Sequence, residues 1–365
     1  MKKYFYKLLT LTVLFSLPLF TACGPDKPEE PDSNPYADNI NYWDASDSPY
    51  GICINKANGD IILLSDGGFR ATGDCYVYDN QLKRRMIALE MGMLPSKAVA
   101  LDDDHLLVLN EGLWGNNDAS LSYVDVANHS AINDWFSSNN GRGLGDVGQD
   151  LIIYGSRAYV TVSFSNSVEI INTRSGLSTR LATTSSNVQT PRYMAADGGN
   201  VYVTCYSPIS VMRIDTAQQA VTGICHLGTF HPEGICALNG KLYVSSSNIS
   251  DEHSNYYYDN KVYVIDEASF SVVDSINVGK NPSKVLALDN SHIVVNTLGD
   301  YATDMGGTYI VDITSNTVTP LSVSLYNFDV YGGKIYGYTS PYGTLKFYRI
   351  DGNSLNAEEI LRRAK

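Results

Sequence analysis

Apolar residues in this chain fall in short runs separated by turn-forming Gly, Asn, Asp and Ser, and the runs recur in a fixed order. A Val/Leu-Tyr-Val segment is followed by a polar loop, then by Val-x-x-Ile-Asp, then by a short strand ending in Gly. Val201-Tyr202-Val203 with Val211-Met212-Arg213-Ile214-Asp215 and Gly228 is one copy. Leu242-Tyr243-Val244 with Val262-Tyr263-Val264-Ile265-Asp266 and Gly279 is another, and Ala158-Tyr159-Val160 with Val168-Glu169-Ile170-Ile171-Asn172 a third. Weaker copies run through Leu106-Leu107-Val108, Ile293-Val294-Val295, Ile61-Ile62-Leu63 and Ile335-Tyr336-Gly337. Runs this short, rich in Val, Ile and Tyr and bounded by turn residues, predict strands rather than helices.

The units begin near Pro49, Pro95, Val147, Pro191, Pro232, Pro282 and Asn327. They lie roughly 45 residues apart, a period that suits four strands per unit. One four-stranded sheet cannot cover both of its own faces, whereas sheets stacked around an axis cover each other and leave only short edges. The expectation is therefore an all-β, seven-bladed β-propeller of four-stranded antiparallel blades, with six blades as the alternative count. The Asp after each third strand suits a turn in which its carboxylate accepts backbone amides. Two segments compete for the outer edge of the last blade, 355–361 and 39–43; pairing by the N-terminal segment is the preferred closure.

The N-terminus reads differently. Lys2, Lys3 and Lys7 precede an apolar run, 8–20, too short for a bilayer that needs about 20 residues. It fits a secretory signal. Phe20-Thr21-Ala22-Cys23 resembles a lipobox, so 1–22 is expected to be a lipoprotein signal peptide with Cys23 lipidated. Residues 23–42 are dense in Pro and acid and are expected to form a disordered tether. Residues 43–365 are expected to form a single propeller domain. The acidic residues behind Cys23 resemble surface-export signals and imply an outer-membrane, lipid-anchored, surface-exposed location.

Composition adds limits. With 26 tyrosines, 30 glycines and 44% apolar residues, the chain fits a turn-dense secreted β protein. A net charge of −13 argues against a phosphate-backbone partner, so nucleic acid is not expected. Cys53, Cys75, Cys205, Cys225 and Cys236 form no Cys-x-x-Cys pair and read as buried free thiols.

The repeat resembles the YVTN, or YncE-like, propellers over roughly 49–360. Asn110-Glu111-Gly112, the stretch Asn117-Asp118-Ala119-Ser120-Leu121-Ser122-Tyr123 and Leu144-Gly145-Asp146-Val147 are similar to surface-layer-like lipoproteins of gut Bacteroides. Some members of that group capture vitamin B12 and pass it to a TonB-dependent transporter. The resemblance implies a binding module for a small molecule, a corrinoid such as cobalamin being the best single expectation, with such a transporter as partner.

In a propeller the loops from second to third strand share one face with the connections between blades. The second-to-third loops read as long: 65–74, 111–119, 163–167, 205–210, 245–260, 297–307 and 339–344. Binding concentrates on long loops of a rigid scaffold. Their aromatic and amide side chains suit a flat polar ligand. The expected ligand-binding residues are Phe69, Trp114, Asn117, Asn166, Arg192, Tyr206, Glu233, Tyr257, Tyr301 and Tyr342. Lys97, Gln149, Arg192, Glu233 and Lys284 start inner strands and are expected around the axis, where Arg192 and Glu233 can pair. A lactonase-like metal centre would need converging carboxylates and amides, for which Glu111, Asn166, Glu233 and Asp300 are the candidates. Asp251, Glu252 and Asp259 are a second set, better read as a solvated acidic loop. No catalytic triad, zinc or phosphate-loop motif is present. No catalytic residue, metal or cofactor is expected, and catalysis remains the rival to binding, beside glycan or protein adhesion.

Overall fold

The second strand of each repeat explains the architecture. Ile61-Ile62-Leu63-Leu64 is apolar throughout, which a half-buried strand would not be. In the computed structural model, which describes residues 42–43, 48–69, 71–340 and 345–363, this strand has a sheet on each side. Ile61 and Leu63 pack with Tyr336, Tyr338 and Phe347, while Ile62 and Leu64 pack with Leu106 and Val108 of the next repeat. Successive side chains point to opposite faces, so a continuous apolar run serves two interfaces at once.

The same arrangement repeats seven times. Seven antiparallel sheets of four consecutive strands form the blades, 49–93, 95–132, 148–182, 189–226, 232–277, 282–320 and 327–363. The innermost strands begin at Pro49, Pro95, Gly148, Gln189, Pro232, Pro282 and Asn327. Five of these are the repeat starts read from the sequence, and the other two differ by one or two residues. The seven hydrophobic clusters each join two neighbouring blades, and one of them joins the last blade to the first. The ring is therefore closed and has seven blades. Between blades 2 and 3 the chain forms one short helix, Trp135–Asn140, which buries Phe136 in their shared core.

The preferred closure is corrected by the sheet order. Ala357–Arg363 supplies the fourth strand of blade 7, and Tyr42–Trp43 adds a fifth strand outside it, parallel rather than antiparallel. The C-terminal segment continues a hairpin from Lys346–Asp351, a local pairing that needs no long loop closure. The ring is sealed across blades 7 and 1 by side chains. Asn327 Nδ2 and the Tyr338 hydroxyl both donate to the Tyr50 carbonyl, at 3.0 and 2.8 Å, and Ile54 N donates to Asp329 Oδ2 at 2.7 Å.

A polar tie recurs between other blades. Thr161, Thr204 and Ser245 occupy equivalent places in second strands, and their hydroxyls donate to the carbonyls of Arg192, Glu233 and Ser283 in the next inner strand, at 2.5, 2.9 and 2.5 Å. Buried hydroxyls are thus satisfied where the inner strands offer free carbonyls to the axis. The five cysteines after Cys23 are all buried free thiols.

The turn aspartates act as expected. Asp79, Asp125, Asp215, Asp266, Asp312 and Asp351 each accept backbone amides two to four residues on, and Asn172 takes the same role in blade 3. Hydrogen bonds to the charged form hold the Asp125, Asp266, Asp312 and Asp351 carboxyls below their ordinary 3.8. A depressed carboxylate stabilises the fold above its unfolded pKa, and that contribution is lost as pH falls through the folded value. Thermal midpoints by calorimetry should hold above about pH 5 and decline progressively on acidification. Leu63, fully buried in the closing interface, gives a second test. Leu63→Ala should cost about 2–5 kcal/mol in urea unfolding.

Candidate functional site

The inner strands approach the axis closely and leave two cavities end to end. The one on the long-loop face is a funnel of about 330 Å³ lined by Tyr50, Glu111, Gln149, Tyr193, Tyr301 and Tyr326, among others. The one on the short-turn face holds about 430 Å³ and opens beside Lys56 and Asp102. Ser96, Lys97, Lys284, Leu286 and Asn327 line both, so they form a waist between the two.

A charged cluster borders the funnel. Arg192 donates to Glu233 Oε2 at 3.2 Å and to the Gln149 side-chain oxygen, while Gln149 Nε2 donates to the Tyr193 hydroxyl at 3.1 Å. The Tyr206 hydroxyl donates to Glu233 Oε1, and its ring stacks on His231 at 4.1 Å and 14°. The guanidinium also lies 4.9 Å from the Tyr206 ring centre and 5.5 Å from that of Tyr193. Burial by itself would depress Arg192, but Glu233 and the neighbouring tyrosines outweigh it and hold it firmly charged. Burial, reinforced by Glu233, pushes the Tyr206 hydroxyl well up. Arg192 Nε is buried without a hydrogen-bond partner.

Glu111 stands elsewhere in the funnel wall and accepts from the Tyr50 hydroxyl at 2.8 Å. Burial raises its carboxyl above the ordinary 4.5, against the opposing pull of Tyr50 and Arg192. The funnel therefore offers tyrosine hydroxyls, an amide, and a carboxyl shifted toward its neutral form. That set can donate to and accept from an uncharged polar ligand while gripping its faces with rings.

The expected ligand residues do not all meet there. Tyr301 lines the funnel, and Arg192, Tyr206 and Glu233 border it. Trp114 lies out on its loop, 74% exposed, with its ring 5.9 Å from that of Phe164. That loop is pinned where Gly115 N donates to Asp146 Oδ1 at 3.0 Å. Asn117 is exposed and takes a left-handed turn conformation. Asn166 also sits in a left-handed turn and gives its side-chain oxygen to Thr190 N at 2.8 Å, tying blade 3 to blade 4. Phe69 ends the short 3₁₀ turn Gly67–Phe69 in its loop. Tyr342 lies outside the described residues, as does Cys23.

Tyr257 stands on a feature the sequence reads as loop. Residues 245–260 instead extend the hairpin of blade 5, with Asn248, Ile249 and Ser250 paired to Tyr258, Tyr257 and Tyr256. Asp251 closes this ribbon by accepting the amides of His253 and Asn255. Polar residues hide the strand: Ser245, Ser246 and Ser247 are buried through hydrogen bonds of their hydroxyls rather than apolar packing, and the ribbon tip beyond them is exposed. The turns 163–167 and 205–210 are also tighter than the sequence reading, their strands running on to within a few residues of each other.

The proposed converging set does not form. Asp300 pairs with Lys280 at 2.8 Å and accepts the amides of its own loop, and Asn166 is used between blades. Asp259 is buried and accepts from Ser246 Oγ at 2.7 Å, away from Asp251 at the ribbon tip. Among the described residues, no group of three or more His, Cys, Asp or Glu gathers as a metal-binding set. Tyr50, Tyr193 and Tyr326 were not singled out by sequence. Each sits near the start of an inner strand, and that position was the available signal.

A family model described as a domain of unknown function, DUF5074, matches residues 104–298. The chain belongs to this family. The DUF5074 match runs from the second strand of blade 2 to the second strand of blade 6, so it includes Arg192, Tyr206, Glu233 and Lys284. No curated protein matches the sequence. Among solved structures, the computationally designed Ika8 protein is similar over 87% of this chain and 88% of its own, with a TM-score of 0.57 and 7% identity. The Neurospora crassa Pan2 WD40 domain is similar over 87% and 80%, with a TM-score of 0.50 and 10% identity. Kuenenia stuttgartiensis hydrazine synthase aligns at 19% identity and a TM-score of 0.45 over 56% of this chain and 62% of its own, less than two thirds of that chain. These likenesses concern the fold alone.

The Arg192–Glu233 pair is mostly buried, so breaking it from one side strands a charge. Glu233→Gln should lower unfolding free energy by about 3 kcal/mol, and adding Arg192→Met to it should restore much of the loss. A denaturant series on the two variants reads this directly; additive losses would contradict it.

Proposed function

We propose that this DUF5074 propeller is a binding module rather than an enzyme, and that it captures a small polar molecule on its long-loop face. One observation carries the reading: the funnel of about 330 Å³ on that face, where tyrosines and hydrogen-bonding groups from several blades converge. A concave site with aromatic walls and a few fixed polar groups is the usual form of a small-molecule pocket. The exposed rings of Trp114, Phe164 and Tyr257 extend the binding surface beyond the funnel.

We propose further that Cys23 carries a lipid, that the anchored protein faces outward from an outer membrane, and that it hands its ligand to a TonB-dependent transporter. This part rests on the lipobox-like Phe20-Thr21-Ala22-Cys23 and on the resemblance to surface-layer-like lipoproteins of Bacteroides. A corrinoid is the ligand that resemblance implies. The funnel suits one peripheral amide arm of such a molecule, with the macrocycle resting across the mouth on the exposed rings. Those same rings favour a second reading, adhesion to a glycan or protein.

Calorimetric titration of the full chain with cyanocobalamin tests the proposal. Binding is expected, and Trp114→Ala with Tyr257→Ala should weaken it by more than tenfold. Unchanged affinity in the double variant rejects the rim as the site. Absence of binding, together with signal on a glycan array, would replace capture with adhesion.

A further inference from the structure

The waist of the axial channel holds two lysines in equivalent places. Pro95-Ser96-Lys97 opens the inner strand of blade 2, and Pro282-Ser283-Lys284 opens that of blade 6. Both side chains reach toward the inner strand of the following blade, and there their surroundings differ. Lys97 meets Asp150 of blade 3 in a tight ion pair. Lys284 meets blade 7, where its amine donates to Asn327 Oδ1 at 2.8 Å and lies 5.4 Å from the centre of the Phe328 ring. Among the described residues, no carboxylate lies within ion-pairing distance of Lys284. The nearby Asp329 is engaged by Ile54 N at 2.7 Å and Lys56 at 2.8 Å.

We propose that the waist carries a second ligand site, entered from the short-turn face, in which Lys284 receives the carboxylate of a small acid whose apolar body fills the lower chamber. The chamber has the volume and walls for this. It holds about 430 Å³, and its lining joins aliphatic Ile52, Ile54, Ile153 and Leu286 with Asp329, whose carboxylate is already held by Ile54 N and Lys56. A Lys ammonium has three donors, and the amide oxygen of Asn327 accepts only one. Lys284 is half-buried, so its ammonium is partly withdrawn from water, and a ligand carboxylate would give it what Asp150 gives Lys97. The titration of the two lysines follows the same contrast. Burial depresses Lys284 below its ordinary 10.5, whereas Asp150 reverses that effect at Lys97 and raises it.

This site shares its waist residues with the funnel, but it does not rest on the ligand proposed there. The test uses the full chain and two probes of equal shape, octanoate and octanamide, titrated by calorimetry. Octanoate is expected to bind at least tenfold more tightly than octanamide. Lys284→Met should erase that preference, Lys284→Arg should keep most of it, and Tyr301→Ala at the opposite mouth should leave it unchanged. Lys284→Met is also expected to melt no lower than the parent, since it removes a cation without a carboxylate partner. Equal affinity of the parent for the two probes overturns the proposal without reference to any variant. Retention of the preference in Lys284→Met, or its loss in Tyr301→Ala, overturns the assigned location.

Discussion

Every blade is a sheet with two apolar faces and no means of covering either by itself. That constraint organises the whole molecule. The second strands, with side chains alternating between two neighbours, need a partner sheet on both sides, and only a closed ring supplies one for all seven. Closure is therefore a requirement of burial rather than an ornament of topology. The Leu63 and Tyr338 faces would otherwise lie open at blades 1 and 7 as an exposed apolar patch that invites association.

Radial packing has a consequence at the axis. The outer parts of the blades are filled by large side chains, but the inner strands converge, and space there is scarce. Glycine answers this at Gly51 and Gly234, where an added Cβ would lie 2.5 Å from the carbonyl oxygens of Ser96 and Ser283. Where inner strands carry longer polar groups, these must find partners on the next blade. Lys97 with Asp150, Arg192 with Glu233 and Asp329 with Lys56 are all pairs between blades. The axis is thus lined by charges whose partners are far apart in the chain, and its two chambers differ in kind. The funnel on the long-loop face is walled by tyrosines and hydrogen-bonding groups, and the chamber on the short-turn face by aliphatic groups together with Lys97, Lys284 and Asp329.

One facing residue separates the surroundings of the two lysines. Inner strands of blades 1 to 6 each carry an irregularity in the first residues of their pairing. In blade 7, Asn327 to Tyr331 pair with Tyr338 to Lys334 without interruption. Counted from the hairpin turn, Asn327 opposite Tyr338 nevertheless holds the place that Asp150 holds opposite Thr161, so an amide stands before Lys284 where a carboxylate stands before Lys97. The repeated Pro-Ser-Lys therefore meets a charge in one blade pair and a neutral amide in the other.

Much of the fold was legible because its signals are local. Val-x-x-Ile-Asp and the turn aspartate recur within each blade, so strand type, blade number and blade starts follow from a short period read along the chain. The extra length of the blade 5 hairpin was not legible, since Ser245, Ser246 and Ser247 are buried by hydrogen bonding without an apolar pattern and the tip beyond is exposed. Nor was the order of the two segments at the last blade's edge, because both had the residues to pair there. Arg192 beside Glu233 followed from adjacent blade positions, but Tyr50 with Glu111 and the isolation of Lys284 did not. The sequence by itself determined that seven equivalent sheets exist and where each begins, because local alternation and turn chemistry are enough for that. Only the tertiary structure decided which polar groups share the axis, because their meeting depends on the tilt and register with which distant strands converge.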